Sequence, residues 1–306
     1  MRIAALLVVL ALPCTLAAQA PSGAEATSLS GKPLVSAPPV GDAMVRLEAD
    51  LAKAQADYDR DPSSAEASIW LGRRLAYLGR YRDAIDAFSR GIAAHPEEAR
   101  LYRHRGHRYI TVRKFDLAIA DLTKASRLVA GKKDEIEPDG APNAAGIPRS
   151  TLQSNIWYHL GLAQYLSGDF TGALASYRAG MPVSRVNDDM LVATSDWLYM
   201  TLRRLKRDAE AVQALEPIRP QMDVLENGAY HARLLLYKGL RTPESVLNLN
   251  TADDIQIATQ GYGVGNWYLV NGDRARARAI FDRVLAGKAW TAFGFIAAEA
   301  DVTRGF

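Results

Sequence analysis

The chain holds one cysteine, Cys14, in 306 residues. A single thiol can build neither a disulfide framework nor a cysteine-based zinc site, so packing must carry the fold. No apolar run reaches the ~20 residues that a transmembrane helix needs. Lys and Arg total 37 against 34 Asp and Glu, and a net charge of +3 is too near neutral to advertise nucleic acid. The catalytic patterns G-x-S-x-G and H-E-x-x-H and a Walker-type phosphate loop are all missing. What is present is ordinary for a globular chain: 48% hydrophobic and 23% charged residues, which exclude a disordered, collagen-like or multi-spanning protein.

The first residues read as an address. Arg2 precedes an apolar run from Ile3 to Leu12, and the small residues Thr15, Ala17, Ala18 and Ala20 follow. This is the pattern of a secretory signal peptide over residues 1–20, cleaved within 17–20, and it predicts a periplasmic or secreted protein. An acylated Cys14 would make a lipoprotein, but the bulky Pro13 before it argues against that processing. Residues 21–41, rich in Pro, Ser, Gly and Ala, are expected to form a flexible linker.

From Asp42 onward the apolar spacing is helical, and it repeats. One unit carries Leu71, Gly72, Ala84, Phe88, Gly91 and Pro96. Shifting by 34 gives Gly106, Ala118, Leu122 and Ala125 in the same roles. After an insertion at 131–152, a third unit has Trp157, Leu160, Gly161, Ala173, Tyr177 and Gly180. Gly265, Tyr268, Ala277 and Phe281 restore the pattern late in the chain, and Trp290, Phe293 and Gly294 begin a further helix that would close the stack. These units resemble the tetratricopeptide repeat (TPR), a helix-turn-helix of about 34 residues. The resemblance implies an all-α, right-handed α-solenoid of about six repeats over residues 42–306, with residues 188–248 as divergent members. The glycines are expected to face Ala84, Ala118 and Ala173 of the second helix, with Phe88, Leu122 and Tyr177 filling the space between repeats.

Little in the sequence promises chemistry. His104 and His107 share one helix, but Arg103, Arg105 and Arg108 flank them and would repel a cation, so they read as surface histidines. Neither a metal nor a cofactor is expected. Gly261, Gly263 and Gly265 read as a helix start or break, and Asp134, Glu135, Glu137 and Asp139 as a solvated charge run. The insertion itself is long enough to be either a shaped lid or a mobile excursion.

By the resemblance, the first helices line a concave groove, whose candidate binding residues are Arg73, Tyr77, Arg100, Arg103, His107, Tyr158 and Tyr165. Such a groove starts basic and ends aromatic. Residues 65–133 hold 15 Lys and Arg against 7 Asp and Glu, a net of +8, whereas residues 188–306 hold 14 against 15. A protein or peptide with acidic side chains or a C-terminal carboxylate is the matching guest, because the Arg fork pairs bidentately with carboxylate. The expected function is a non-enzymatic protein- or peptide-binding scaffold of the bacterial envelope. The alternative is an accessory subunit whose tyrosines stack on glycan or peptidoglycan fragments.

Overall fold

The computed structural model describes residues 23–37 and 39–306, and the expected signal peptide with Cys14 lies outside them. A hairpin of β1 (Ala24–Thr27) and β2 (Pro33–Val35) precedes the helix α1 (Asp42–Arg60). Six helical pairs follow among the described residues. They are α2 (Ala65–Tyr77) with α3 (Tyr81–Ala94), α4 (Ala99–Thr111) with α5 (Phe115–Leu128), and α6 (Leu152–Ser167) with α7 (Phe170–Ser184). Next come α8 (Asp188–Arg204) with α9 (Asp208–Ala214), α10 (Gly228–Tyr237) with α11 (Pro243–Val246), and α12 (Asp254–Val270) with α13 (Arg274–Leu285). A lone helix, α14 (Phe293–Arg304), comes last. Each of α2, α4, α6, α8 and α10 touches the next first helix, so these elements and α12 form an inner row with their partners outside. The chain is the helical solenoid of about six repeats that its period predicts.

The glycines set the spacing within each pair, though against different neighbours from those expected. A Cβ on Gly72, Gly106, Gly161 or Gly265 would come within 2.7 Å of Phe88, Leu122, Tyr177 or Phe281, respectively. The bulky residue of the second helix therefore lies over the glycine of its own pair, and Phe88 also reaches the next repeat, stacking on His104 of α4 with 5.7 Å between ring centroids. Ala84, Ala118 and Ala173 are fully buried beside them. Gly261, Gly263 and Gly265 do not start or break a helix either. They lie inside α12, where Val284, Arg233 and Phe281 press against the backbone.

Two segments depart from an open solenoid. The stretch expected to be a flexible linker contains the hairpin, whose Ala24 and Ala26 are buried. Their small side chains, which in composition resemble a linker, permit close docking. Arg82 N donates to Glu25 Oε2 (2.9 Å), Ser36 Oγ to the Gly79 carbonyl (2.6 Å) and Leu29 N to Glu299 Oε1 (2.8 Å). The second departure is α14, which packs on α6, α12 and α13. Phe293 at its start meets the rings of His107, Tyr158 and His159, and Arg304 at its end donates to the Leu166 carbonyl (2.5 Å). The helix thus occupies the concave side of the central repeats.

Candidate functional site

The basic end of the inner row keeps a cavity of about 190 Å³, lined by α2, α3, α4 and the insertion. Its cations are Arg73, Arg103 and Arg108, with Tyr77, His104 and His107 beside them. Spacing explains the grouping: Arg73 and Tyr77 are four residues apart on α2, and His107 and Arg108 follow His104 by three and four residues on α4, so each set shares a helix face.

The insertion is a shaped lid over this cavity. Asp134 accepts from Thr151 Oγ1 (2.6 Å) and from Gln153 N (3.0 Å), tying the loop to the first turn of α6. Glu137 N donates to the Ser150 carbonyl (3.0 Å), and Arg149 pairs with Asp223 (2.7 Å). Arg73 Nη2 donates to the Pro138 carbonyl (2.8 Å) and Arg74 Nη1 to the Gly140 carbonyl (2.9 Å). Gly140 is needed there, because a Cβ would collide with the Tyr77 hydroxyl and Arg73. The acidic run is therefore not simply solvated. Glu137 is only 7% exposed, and its carboxylate lies 3.0 Å from Arg103 Nε and accepts from Asn155 Nδ2 at 3.0 Å.

The histidines are not free surface residues: His104 is buried and His107 half-buried. Arg103 Nη1 lies 3.0 Å from His104 Nδ1, and because a guanidinium can only donate, that nitrogen accepts. The other nitrogen, His104 Nε2, then carries the proton and faces Glu137 Oε1 at 3.6 Å. Burial, followed by the charge of Arg103, holds His104 well below the usual imidazole range. His107 is held down in the same way by burial and Arg108. Burial also pulls the Arg108 guanidinium down to about 10, and it stacks over the Tyr81 ring at 5.6 Å. Among the described residues no group of three or more His, Cys, Asp or Glu is placed to hold a metal ion.

Of the seven residues named from the sequence, the structure brings together Arg73, Tyr77, Arg103 and His107. Arg100 stands apart, paired with Glu66 (2.6 Å) and Glu98 (2.9 Å). Tyr158 and Tyr165 do not line an open groove. Trp197 Nε1 donates to the Tyr158 hydroxyl (2.9 Å), which also meets that of Tyr230 (3.0 Å). Tyr165 is 0% exposed, takes a hydrogen bond from the Tyr262 hydroxyl (2.7 Å), and is pushed up to about 12 by burial. Two of the three tyrosines that a sugar-stacking surface would use are thus core residues. Arg108, His104 and Glu137 belong to the site although the repeat offsets did not select them. The available signal was the helical spacing of Arg108 from His104.

No helix among the described residues is long and apolar enough to cross a membrane. A search of curated proteins finds no match. Among solved structures, YrrB, described as a TPR protein with an unusual peptide-binding site, is 14% identical over 76% of this chain and 91% of its own (TM-score 0.43). A structure of the protein MamA is 14% identical over 65% of this chain and 88% of its own (TM-score 0.44). The Cut9–Hcn1 heterotetramer of the APC/C is 16% identical over 80% of this chain and 37% of that one (TM-score 0.47). Residues 71–131, spanning most of α2 and all of α3 to α5, match the tetratricopeptide repeat family.

Proposed function

We propose that the chain is a non-catalytic scaffold that captures a protein or peptide partner by an acidic group, at the cavity formed by Arg73, Arg103 and Arg108. The observation that carries this reading is the seat of Glu137. The cavity already holds one carboxylate against Arg103, and among the described residues neither Arg73 nor Arg108 has a carboxylate partner. The run from Arg2 to Ala20 supports export, which would put the partner in the bacterial envelope or outside the cell.

The test is fluorescence anisotropy with labelled hexaglutamate, hexaserine and hexalysine peptides. Hexaglutamate should bind, more weakly as salt rises, because exposed charge is screened over about 8–10 Å at ordinary ionic strength. The double variant Arg73→Gln, Arg108→Gln should lose that binding. Equal binding of hexaglutamate and hexaserine would refute the reading.

A further inference from the structure

Within the cavity, several polar groups have no partner of their own kind. Among the described residues nothing accepts a hydrogen bond from Arg108, although a guanidinium carries five donors. Arg103, 8% exposed, has its Nε shut from solvent with no aligned hydrogen bond, Glu137 lying alongside. Asp139, half-buried in the cavity wall, contributes the opposite kind of group: among the described residues nothing donates to its carboxylate. Tyr77 accepts from Arg73 Nη2 (3.3 Å), which leaves the phenolic proton free to donate. Guanidinium donors without acceptors and a carboxylate without donors, lining one void, describe the complement of a ligand.

That complement has two parts. The guanidiniums call for an oxyanion, which Arg recognises bidentately. The Asp139 carboxylate calls for a donor, and it repels an anion that has none. Sulfate offers only acceptors, whereas hydrogen phosphate brings an O–H. Among short dicarboxylates, succinate lacks a donor and malate has a hydroxyl. At about 190 Å³ the cavity admits any of these with water.

We propose that the cavity binds a small oxyanion carrying its own hydrogen-bond donor, with the oxyanion on Arg108 and Arg103 and the donor on Asp139. This shares with the scaffold reading the attraction of the cavity for negative charge, but it concerns a free small ligand and not a partner chain. Selection rests on Asp139, because a site that keeps a buried polar group for one ligand hydroxyl discriminates against the analogue lacking it.

Calorimetric and thermal-shift titrations of the full chain test this with two matched pairs, phosphate against sulfate and malate against succinate, at equal ionic strength. In one pair the donor-bearing member should bind at least about ten-fold tighter, and which pair does so tells a phosphate source from a carboxylate one. Asp139→Asn, in a loop and at an unpartnered atom, should fold normally and bring the two members within about three-fold, since an amide can itself donate. Arg108→Met should abolish binding in both pairs. The inference is overturned if none of the four anions binds, if both pairs bind without preference, or if Asp139→Asn leaves the preference unchanged. Binding of hexaglutamate with none of the small anions would overturn it and leave the scaffold reading standing, and the reverse result would do the opposite.

Discussion

Arg113 offers the sharpest test of how the solenoid is closed. It follows α4 with φ of 63°, in a left-handed conformation that three other repeats give to Gly79, Gly168 and Gly272. Its side chain is 2% exposed and pairs through Nε with Glu299 Oε2 of α14 (2.9 Å). Nη2 donates to the Trp290 carbonyl (2.8 Å), and Nη1 to that of Thr111 (2.6 Å). Since Glu299 also accepts from Leu29, one guanidinium joins the second repeat, the last helix and the hairpin. Replacing Arg113 by Gly relieves left-handed strain worth about 1 kcal/mol. It also leaves Glu299 buried without its cation, which costs about 3–5 kcal/mol. The net loss should be about 2–4 kcal/mol in guanidinium denaturation, with faster hydrogen exchange at the Leu29 amide. Adding Glu299→Leu should restore much of that loss, because an apolar replacement of a buried pair is often neutral. An Arg113→Gly variant as stable as the parent, or more so, would mean that strain is the only term and that α14 is not anchored there.

Gly106→Leu should destabilise by at least about 2 kcal/mol, since even its Cβ would stand 2.7 Å from Leu122 Cγ; an unchanged melting temperature would contradict the helix pairing. Tyr158→Phe and Tyr165→Phe should lower stability by about 1 kcal/mol each and leave hexaglutamate affinity unaltered, which places them in the core. His107 titrates well below its ordinary range because burial, then Arg108, opposes its charge, so on acidification through about 6.5 the unfolded chain takes up the proton first and stability falls. Relative to a His107→Gln variant, the parent should lose about 1.4 kcal/mol by pH 5.5, a comparison in which Asp196, pushed up to about 7 by its own burial, cancels. Parallel stability curves for the two would contradict the buried neutral imidazole.

The repeat was legible because helix-pair packing demands small residues at fixed positions, and Gly72, Gly106 and Gly161 mark them. What covers the groove was not legible from repeat offsets, which say which face a residue takes and nothing about its occupant. Tyr158 and Tyr165 occupy groove-facing offsets, yet Trp197, Tyr230 and Tyr262 satisfy their hydroxyls and α14 lies over Tyr158. A signal did exist: Phe295, Ile296, Ala297, Ala298 and Ala300 make α14 apolar on nearly every side, the pattern of a helix enclosed by others. The hairpin escaped notice because a four-residue strand built on alanine carries almost no alternation. Glu137 looked solvated because Pro138 and Gly140 follow it, and only the fold brings its carboxylate onto Arg103.

Glu137→Gln gives the most direct measurement of the central claim, that acidic groups are taken at this cavity and not elsewhere on the basic repeats. The carboxylate of Glu137 neutralises Arg103 from within, so removing its charge should increase the pull on an acidic guest. Titrated at constant ionic strength, hexaglutamate should bind the Glu137→Gln variant several-fold more tightly than the parent, while hexaserine shows no change. Unchanged or weaker binding of hexaglutamate, in a variant of normal helical content, would contradict the assignment.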